Sequence, residues 1–264
     1  MPELPEVETI RRMLAPRLAG RRIVQAEFPE RRVLRGDPRE TAARLRGQRI
    51  HAVGRRGKHL LVELESGLVL AVHLGMTGSL EWGGRPGPHT RARLVLDRGQ
   101  VVFDDPRMFG RLELCEGLPA RIARLGPEPL EIPPAEFIAR LSAHRRMIKS
   151  LLLDQAFLRG LGNIYTDEAL FRAGIHPRAI AARLTAERAR RLHRAIRRVL
   201  QAAIAAGGTT ISDYVDAEGN PGGFQVRLRV YGRAGEPCPR CAAPIRRTVI
   251  GQRGTWFCAR CQRR

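Results

Sequence analysis

The sequence lacks the features that mark membrane, secreted and disordered proteins. Its 264 residues contain no apolar run near the ~20 residues that a membrane-spanning helix needs. The start, Met1-Pro2-Glu3-Leu4-Pro5-Glu6, is acidic and prolyl and does not resemble a secretory signal. With 43% hydrophobic residues, the composition excludes collagens, mucin-like stalks and disordered acidic tails. We therefore expect a soluble, cytoplasmic protein with no membrane partner.

Acidic residues and lysine are both scarce. The chain has 26 Asp and Glu against 47 Lys and Arg, a formal net charge of +21, and only Lys58 and Lys149 are lysines. A GC-rich genome would account for the preference for Arg over Lys. The charge itself favours a polyanionic partner, nucleic acid ahead of an anionic membrane surface. Because Lys and Arg differ at specific contacts, the two lysines are candidates for specific roles.

Cysteine is also sparse, but its spacing is informative. Cys238, Cys241, Cys258 and Cys261 form two C-x2-C pairs separated by 16 residues, which is typical of a structural zinc site. Four thiolates would complete the tetrahedron around Zn²⁺ and leave no position for a water. The alternative, two disulfides, would require an exported protein. The fifth cysteine, Cys115, lies in an alternating segment and is predicted to be a buried small hydrophobe.

Hydrophobic periodicity predicts an α+β protein. Residues 5–19 have helical spacing, and short alternating runs from 21 to about 115 predict a β-sandwich. A proline-rich linker is predicted over 126–134, followed by helices over 135–206, the last of them ended by Gly207-Gly208.

The C-terminal part is expected to hold little regular structure apart from short strands. The pattern predicts a strand from Gln225 to Val230 and a β-hairpin between the cysteine pairs. The predicted domains are 1–130 (N-terminal β-sandwich), 131–232 (helical) and 233–264 (zinc module).

The first residues could carry out chemistry. Removal of Met1 before the small Pro2 would leave a secondary amine, and α-amino groups titrate near pH ~8. Such an amine can attack a sugar C1′ and form an iminium, while Glu3 and Glu6 could donate and shuttle protons. The alternatives are an ordinary surface terminus and, for Glu6, a carboxylate that simply favours a helix N-terminus.

The N-terminal motif resembles that of the bacterial formamidopyrimidine-DNA glycosylase family (Fpg or MutM), which is related to endonuclease VIII. The resemblance begins at Pro2-Glu3-Leu4-Pro5-Glu6 and continues, in the family's order, to the four-Cys module. The intervening motifs are Arg56-Gly57-Lys58, His73-Leu74-Gly75-Met76-Thr77-Gly78, Asp105-Pro106-Arg107-Met108-Phe109-Gly110 and Leu161-Gly162-Asn163-Ile164-Tyr165-Thr166-Asp167-Glu168. It implies an N-terminal helix plus β-sandwich, a helix-two-turn-helix domain and a zinc β-hairpin.

The resemblance also implies roles for individual residues. Those implied in catalysis are Pro2 as nucleophile, Glu3 as general acid, and Lys58 and Arg253 as phosphate-binding cations, with Glu6 and Lys149 in support. Those implied in DNA binding are Met76, His89, Arg107, Phe109 and Asn163. Met76, Arg107 and Phe109 would fill the space left by an extruded base. The segment from Ile211 to Phe224 resembles the family's lid over that base.

The residues themselves leave other interpretations open. Met76 and Phe109 are of types that usually lie in a core, although their Gly and Pro neighbours favour loop tips. Lys149 could lie on a helix surface, and Asn163 could be an ordinary helix N-cap. Arg253 could be one solvated charge among many.

The resemblance implies a monomeric, bifunctional DNA glycosylase and AP lyase with one structural zinc ion. It would act on duplex DNA containing oxidised purines, by a proline Schiff base and β,δ-elimination, in the bacterial nucleoid. The nearer alternative is the same fold acting on oxidised pyrimidines or abasic sites. The more distant one is a non-catalytic zinc-ribbon nucleic-acid binder.

Overall fold

The computed structural model describes residues 2–264, so the predicted removal of Met1 lies outside it. The chain forms two compact units. The first comprises the residues up to Arg124 together with Ile204–Gln225, and the second comprises Leu125–Ala203 and Val226–Arg264. The bounds of the three predicted domains stay predictions.

The first unit is built on the predicted β-sandwich. One sheet has four strands in the order β1-β7-β8-β6, and the other has five in the order β2-β9-β5-β4-β3. Neighbouring strands are antiparallel except β2 and β9. The strands are β1 (Ile23–Glu27), β2 (Leu34–Arg35), β3 (Ile50–Arg56), β4 (His59–Leu64), β5 (Leu68–His73), β6 (Ser79–Trp82), β7 (Thr90–Leu96), β8 (Gln100–Asp104) and β9 (Arg111–Glu116).

Three helices accompany these sheets, α1 (Leu4–Leu18), α2 (Pro38–Leu45) and α3 (Ala120–Ala123). Helix α1 matches the predicted N-terminal helix. Its apolar residues at helical spacing, including Ile10, Leu14 and Leu18, are at most 2% exposed and join the core formed by both sheets. Burying each such side chain contributes roughly 1.5–3 kcal/mol, which fixes α1 on the sandwich.

The second unit contains the helices α4 (Pro134–Ser142), α5 (Ile148–Leu152), α6 (Asn163–Ala173) and α7 (Ala186–Ala205). Helix α6 ends at Gly174, whose φ of 68° is the left-handed conformation that glycine adopts at helix ends. The apolar face of α7, including Leu192, Val199 and Leu200, is completely buried. The hairpin between the cysteine pairs is confirmed as β10 (Arg246–Ile250) and β11 (Arg253–Phe257).

Two local predictions are wrong. Gln225–Val230 is not a strand, because Phe224–Arg227 forms a 3-10 turn and the amides after it bind a buried carboxylate, Glu168. The proline-rich segment predicted as a linker begins just after the first unit ends at Arg124, and in it Gly126 and Glu128 are buried and bonded to Gln155 and Arg159. Cys115 is half-buried on β9, where side chains alternate between the faces of the sheet.

The α+β fold class is nevertheless confirmed, with a sandwich, a helical unit and a cysteine hairpin. Within residues 2–264, no helix is both long and apolar enough to cross a membrane.

Candidate active site and zinc centre

The N-terminus of α1 holds three of the predicted catalytic residues out of water. Pro2 is buried, and Glu3 and Glu6 are each 2% exposed. The backbone N–H of Glu3 donates to Oε2 of Glu6 at 2.8 Å, as in a capping box. The positive end of the helix dipole favours both carboxylates here. An amine at Pro2 would therefore lie beside two carboxylates in a largely dry environment.

Glu6 does more than carry a charge at the helix start. Its second oxygen, Oε1, accepts a hydrogen bond from the amide of Thr209 at 2.8 Å, 203 positions along the chain. The hydroxyl of Tyr214 donates to the carbonyl oxygen of Gly207 at 3.1 Å and to that of Glu6 at 3.4 Å. Glu6 thus fixes the segment after α7 against the helix that carries Pro2 and Glu3.

The segment predicted as a lid, 211–224, is anchored on the sandwich in this structure. The amide of Trp82 donates to the carbonyl oxygen of Ala217 at 2.9 Å. Glu218 forms an ion pair with Arg17 of α1. These contacts place the segment beside α1 and β6.

Lys58 lies in the turn between β3 and β4 and is only 8% exposed. Gly57 precedes it with a φ of 59°, a conformation that glycine adopts without strain. Arg55 ties this hairpin to α1, because its Nε donates to Oε2 of Glu8 at 3.0 Å. Arg11 and Arg12 donate to the same carboxylate. The hairpin that carries Lys58 is therefore tied to α1 by the ion pairs around Glu8.

Two histidines next to Lys58 were missed by the sequence reasoning. His59 and His73 are directly paired across β4 and β5, and their ring centroids are 4.9 Å apart. Burial, then the neighbouring cationic groups, lower the pKa of each to about 4. The amide of Gly75 donates to Nδ1 of His73 at 3.1 Å, so the neutral ring carries its proton on Nε2. The sequence signal was that His73 begins one predicted motif and His59 directly follows another, Arg56-Gly57-Lys58.

Asp105 joins the two motif loops and was also missed as a key residue. It is completely buried. Its Oδ1 accepts a hydrogen bond from the Thr77 hydroxyl at 2.5 Å, and its Oδ2 accepts one from the Gly110 amide at 2.7 Å. Gly75, with a φ of 68°, lies so close that a Cβ there would be 2.5 Å from the Gly110 nitrogen. The loops 73–78 and 105–110 therefore form one rigid structure.

Their tips carry the predicted wedge residues into solvent. Met76 is 45% exposed and Phe109 is 46% exposed, so the core interpretation of both is wrong. The guanidinium of Arg107 lies 4.7 Å from the centre of the Phe109 ring. His89 is exposed nearby, and its carbonyl oxygen accepts the amide of Asp105 at 2.9 Å. Four predicted DNA-binding residues thus lie around one pair of loops.

In the second unit, Asn163 and Arg253 meet at the zinc hairpin. Asn163 is the first residue of α6, and its Nδ2 donates to the carbonyl oxygen of Gly254 at 2.9 Å. It is not the N-cap, because Gly162 has that position and the Asn163 side chain bonds the hairpin instead. Arg253 immediately precedes Gly254 and is exposed. The N-terminus of α6 therefore lies next to the strand that carries Arg253. Helix N-termini offer free backbone N–H groups to a phosphate.

Lys149 lies beneath this arrangement and is completely buried, so the helix-surface interpretation is wrong. Its Nζ lies 2.7 Å from Oδ1 of Asp167 and donates to the carbonyl oxygen of Gly254 at 2.9 Å. Oδ2 of Asp167 accepts the amide of Trp256 at 2.9 Å. Burial raises the pKa of Asp167 to about 7, although Lys149 and the Trp256 amide lower it. This buried pair connects α5, α6 and β11.

The four hairpin cysteines form a metal site. Their sulfur atoms all lie within 4.8 Å of one another, and two Sγ pairs are 3.9 and 3.5 Å apart. A tetrahedron with Zn–S bonds of ~2.3 Å needs S···S distances of about 3.8 Å, whereas a disulfide needs ~2.05 Å. The disulfide alternative is therefore wrong. The amides of Arg240 and Cys261 donate to thiolate sulfurs, as expected for a bound cation's ligands.

Comparisons with known proteins agree with this geometry. Three family models match in order along the chain: the Formamidopyrimidine-DNA glycosylase N-terminal domain (residues 1–112), its H2TH domain (125–215) and a zinc finger found in FPG and IleRS (235–264). The formamidopyrimidine-DNA glycosylase of Solibacter usitatus is 57% identical over the whole of both chains.

The chain belongs to the formamidopyrimidine-DNA glycosylase family. It is a DNA glycosylase of base-excision repair with one structural zinc site.

Solved structures of this family share the fold. The MutM (Fpg) crystal structure from Thermus thermophilus has a TM-score of 0.90 at 48% identity, covering 99% of this chain and 98% of its own. A complex of Lactococcus lactis Fpg with DNA containing N7-benzyl-Fapy-dG has a TM-score of 0.91 at 36% identity, covering both chains completely. A MutM complex with DNA containing carbocyclic 8-oxo-G has the same TM-score, identity and coverage.

Proposed function

We propose that this glycosylase removes oxidised purines, 8-oxoguanine and formamidopyrimidines, from duplex DNA and then cleaves the abasic strand with the amine of Pro2. The observation that carries the proposal is the buried start of α1, where Pro2 adjoins Glu3 and Glu6. A secondary amine attacks in its unprotonated form, and Glu3 and Glu6 lie beside Pro2 as groups that can exchange the protons the reaction needs. The relatives solved with Fapy-dG and 8-oxo-G DNA support the substrate class.

The first half of the reaction joins protein and sugar. The lone pair of the Pro2 nitrogen attacks C1′, and the glycosidic bond breaks with its electrons leaving on the damaged base, which takes up a proton. The attached nitrogen then loses its N–H proton to the Glu3 carboxylate, which restores the nitrogen lone pair. Glu3 passes this proton to the ring oxygen O4′ as the C1′–O4′ bond breaks, and the lone pair forms the C1′ iminium. Glu6 holds Glu3 in place through the Glu3 amide.

The second half breaks the strand without any oxidant. The iminium acidifies C2′, whose proton is lost as the 3′-phosphate leaves in β-elimination. A further proton loss expels the 5′-phosphate in δ-elimination. Water hydrolyses the remaining iminium, which restores the amine and leaves a one-nucleotide gap.

The other predicted residues hold the DNA. Lys58, Asn163 and Arg253 offer an ammonium, an amide and a guanidinium for phosphate oxygens. Base extrusion leaves a hole in the stack, and the exposed Met76 and Phe109 are suited to fill it. Arg107 presents a planar fork of donors that can bond the orphaned cytosine.

The test is borohydride trapping on a duplex with 8-oxoguanine opposite cytosine, because borohydride reduces an iminium to a stable covalent complex. The native protein is expected to trap, and Pro2→Gly is expected to trap much less. Pro5→Ala in the same turn is the matched control and is expected to trap normally. A form with an uncleaved N-terminal tag, in which the Pro2 nitrogen is an amide, is expected not to trap at all.

Two results would contradict the proposal. Trapping on 5-hydroxycytosine or abasic duplexes but not on 8-oxoguanine would assign the other substrate class. Salt-sensitive DNA binding with no trapping on any of these duplexes would indicate a non-catalytic binder.

A further inference from the structure

A groove lined by arginines lies at the C-terminal end of α6, in the second unit. It consists of two adjoining cavities of about 550 and 280 Å³ that share three arginines. We call it the arginine groove and define it by Arg172, Arg188, Arg191, Arg194, Arg198 and Arg240. The neighbouring Arg263 and Arg264 line its larger cavity.

Four of these arginines follow one side of α7. Arg191, Arg194 and Arg198 are exposed and recur at intervals of three or four residues on the side opposite the buried apolar face, and the half-buried Arg188 precedes them at the edge of that face. At a rise of ~1.5 Å per residue they span about 15 Å. One DNA strand presents a phosphate about every 3.4 Å along the helix axis, so this length faces about four phosphates.

The groove carries a large uncompensated positive charge. Within residues 2–264, no Asp or Glu lines either cavity. Two acids lie close to it: Glu187 pairs with Arg191 at 2.6 Å, and the buried Glu168 interacts electrostatically with Arg172. Four thiolates around Zn²⁺ would add about two negative charges at Cys261. Together with Glu187 and Glu168 they leave the eight arginines a net charge of about +4. Unlike a scattered excess of arginine, this concentration of charge favours a polyanion.

Parts of the groove are preorganised. Arg240 donates to the carbonyl oxygens of Phe171 and Arg172 at 3.0 Å each and stacks on the Phe171 ring. Arg188 donates to the carbonyl oxygen of Arg263 at 2.7 Å. Burial lowers the pKa of Arg172, and repulsion from Arg240 adds to this although Glu168 opposes it. Burial and then Arg191 lower the pKa of Arg188.

The groove is separate from the phosphate site proposed above. Helix α6 begins at Asn163 and has 11 residues, so its ends are about 16 Å apart. Asn163 and Gly254 lie at its first turn, whereas Arg172 lies at its last. We propose that the arginine groove binds the phosphate backbone of a second DNA duplex, so that one protein molecule can hold two DNA segments.

The experiment measures how many duplexes each protein molecule binds. Sedimentation and fluorescence anisotropy would use undamaged and lesion-containing duplexes of about 12 base pairs at about 50 mM salt. The native full-length protein is expected to bind two duplexes, the second one more weakly. The variant Arg191→Ala/Arg194→Ala/Arg198→Ala is expected to bind only one. In the native protein, three phosphate contacts would give the log affinity of the second duplex a slope of about −3 against log salt.

A matched control has the same change in charge on the first unit. The variant Arg39→Ala/Arg46→Ala/Arg98→Ala replaces three exposed arginines of that unit and is expected to keep both duplexes. Incision of a lesion duplex is expected to stay within about twofold of native in both variants, because the groove is distinct from the proposed active site. Circular dichroism checks that α7 remains folded.

Three results would overturn the proposal. The native protein could bind a single duplex at low salt, or the groove variant could still bind two. The control variant could lose the second duplex equally, which would indicate a diffuse charge effect. Finally, inorganic polyphosphate could bind the groove while a second duplex does not, which would assign the site to a different polyanion.

Discussion

The buried ion pair of Lys149 and Asp167 gives the most stringent prediction about this protein. Both side chains are completely buried, and Lys149 also bonds the Gly254 carbonyl. The variant Lys149→Met keeps the shape of the side chain but leaves Asp167 without its cation. Removing one partner of a buried pair typically costs ~3–5 kcal/mol, since the other charge stays desolvated.

The size of the effect follows from the partners that remain. Asp167 keeps only the Trp256 amide, and its carboxylate must then protonate or open to water. For a chain of this length a loss of ~4 kcal/mol lowers the melting temperature by roughly 8–16 °C. Asp167→Asn leaves Lys149 as the unpaired charge and is expected to cost about 3 kcal/mol. The double variant removes both charges and is expected to cost only about 1–2 kcal/mol.

The assay is calorimetric and chemical unfolding of the native protein, both single variants and the double variant. Zinc release to a chelator would be followed in parallel, because the pair holds the strand next to the metal site. The reasoning is refuted if Lys149→Met costs less than about 1 kcal/mol, or if the double variant costs the sum of the two single variants. Either result would mean that the pair is not energetically coupled.

Three further predictions concern other parts of the molecule. Burial raises the pKa of Glu8, but hydrogen bonds from Arg11, Arg12 and Arg55 outweigh it and lower the pKa from 4.5 to about 2. The resulting stability of about 3 kcal/mol is present above pH ~4.5 and lost toward pH ~2, and Glu8→Gln should flatten this dependence in urea unfolding. Gly75→Ala should lower the free energy of unfolding by more than about 2 kcal/mol, because its Cβ would lie 2.5 Å from a backbone nitrogen. Gly67→Ala is the control: no atom lies within 4 Å of its Cβ, so it should cost only about 1 kcal/mol. Equal losses of stability in the two variants would contradict this reasoning. Removal of one zinc ion per chain by a chelator should unfold the cysteine hairpin, which circular dichroism would detect, and should abolish DNA binding. Adding zinc should restore both. An unchanged spectrum would argue against a structural metal.

Local sequence patterns were enough to predict most of the architecture. Helix α1, the alternating strands and the cysteine hairpin follow from periods of 3.6 and 2 residues and from turn-forming spacing. The zinc ligands follow from two C-x2-C pairs, because each pair needs only its own tight turn. The failure at Gln225–Val230 is instructive, because its amides at 229, 230 and 231 bind the distant carboxylate of Glu168.

The sequence predicted the residues of the candidate site but not the buried residues that hold them in position. Pro2, Glu3 and Lys58 could be named from motifs, whereas nothing in the sequence indicated that Asp105 joins two loops or that His59 pairs with His73. Sequence also could not decide whether Met76 and Phe109 lie in the core, since both types occur in cores and on loop tips.

The sequence by itself determined the α+β architecture, the metal site and the excess of positive charge, because these depend on near neighbours or on composition. Only the tertiary structure decided that Glu6 holds the amide of Thr209, that Lys149 is buried against Asp167, and that arginines converge at the end of α6. The physical reason is distance along the chain. Burial and hydrogen-bond pairing are settled by residues up to 208 positions apart, which no local pattern specifies.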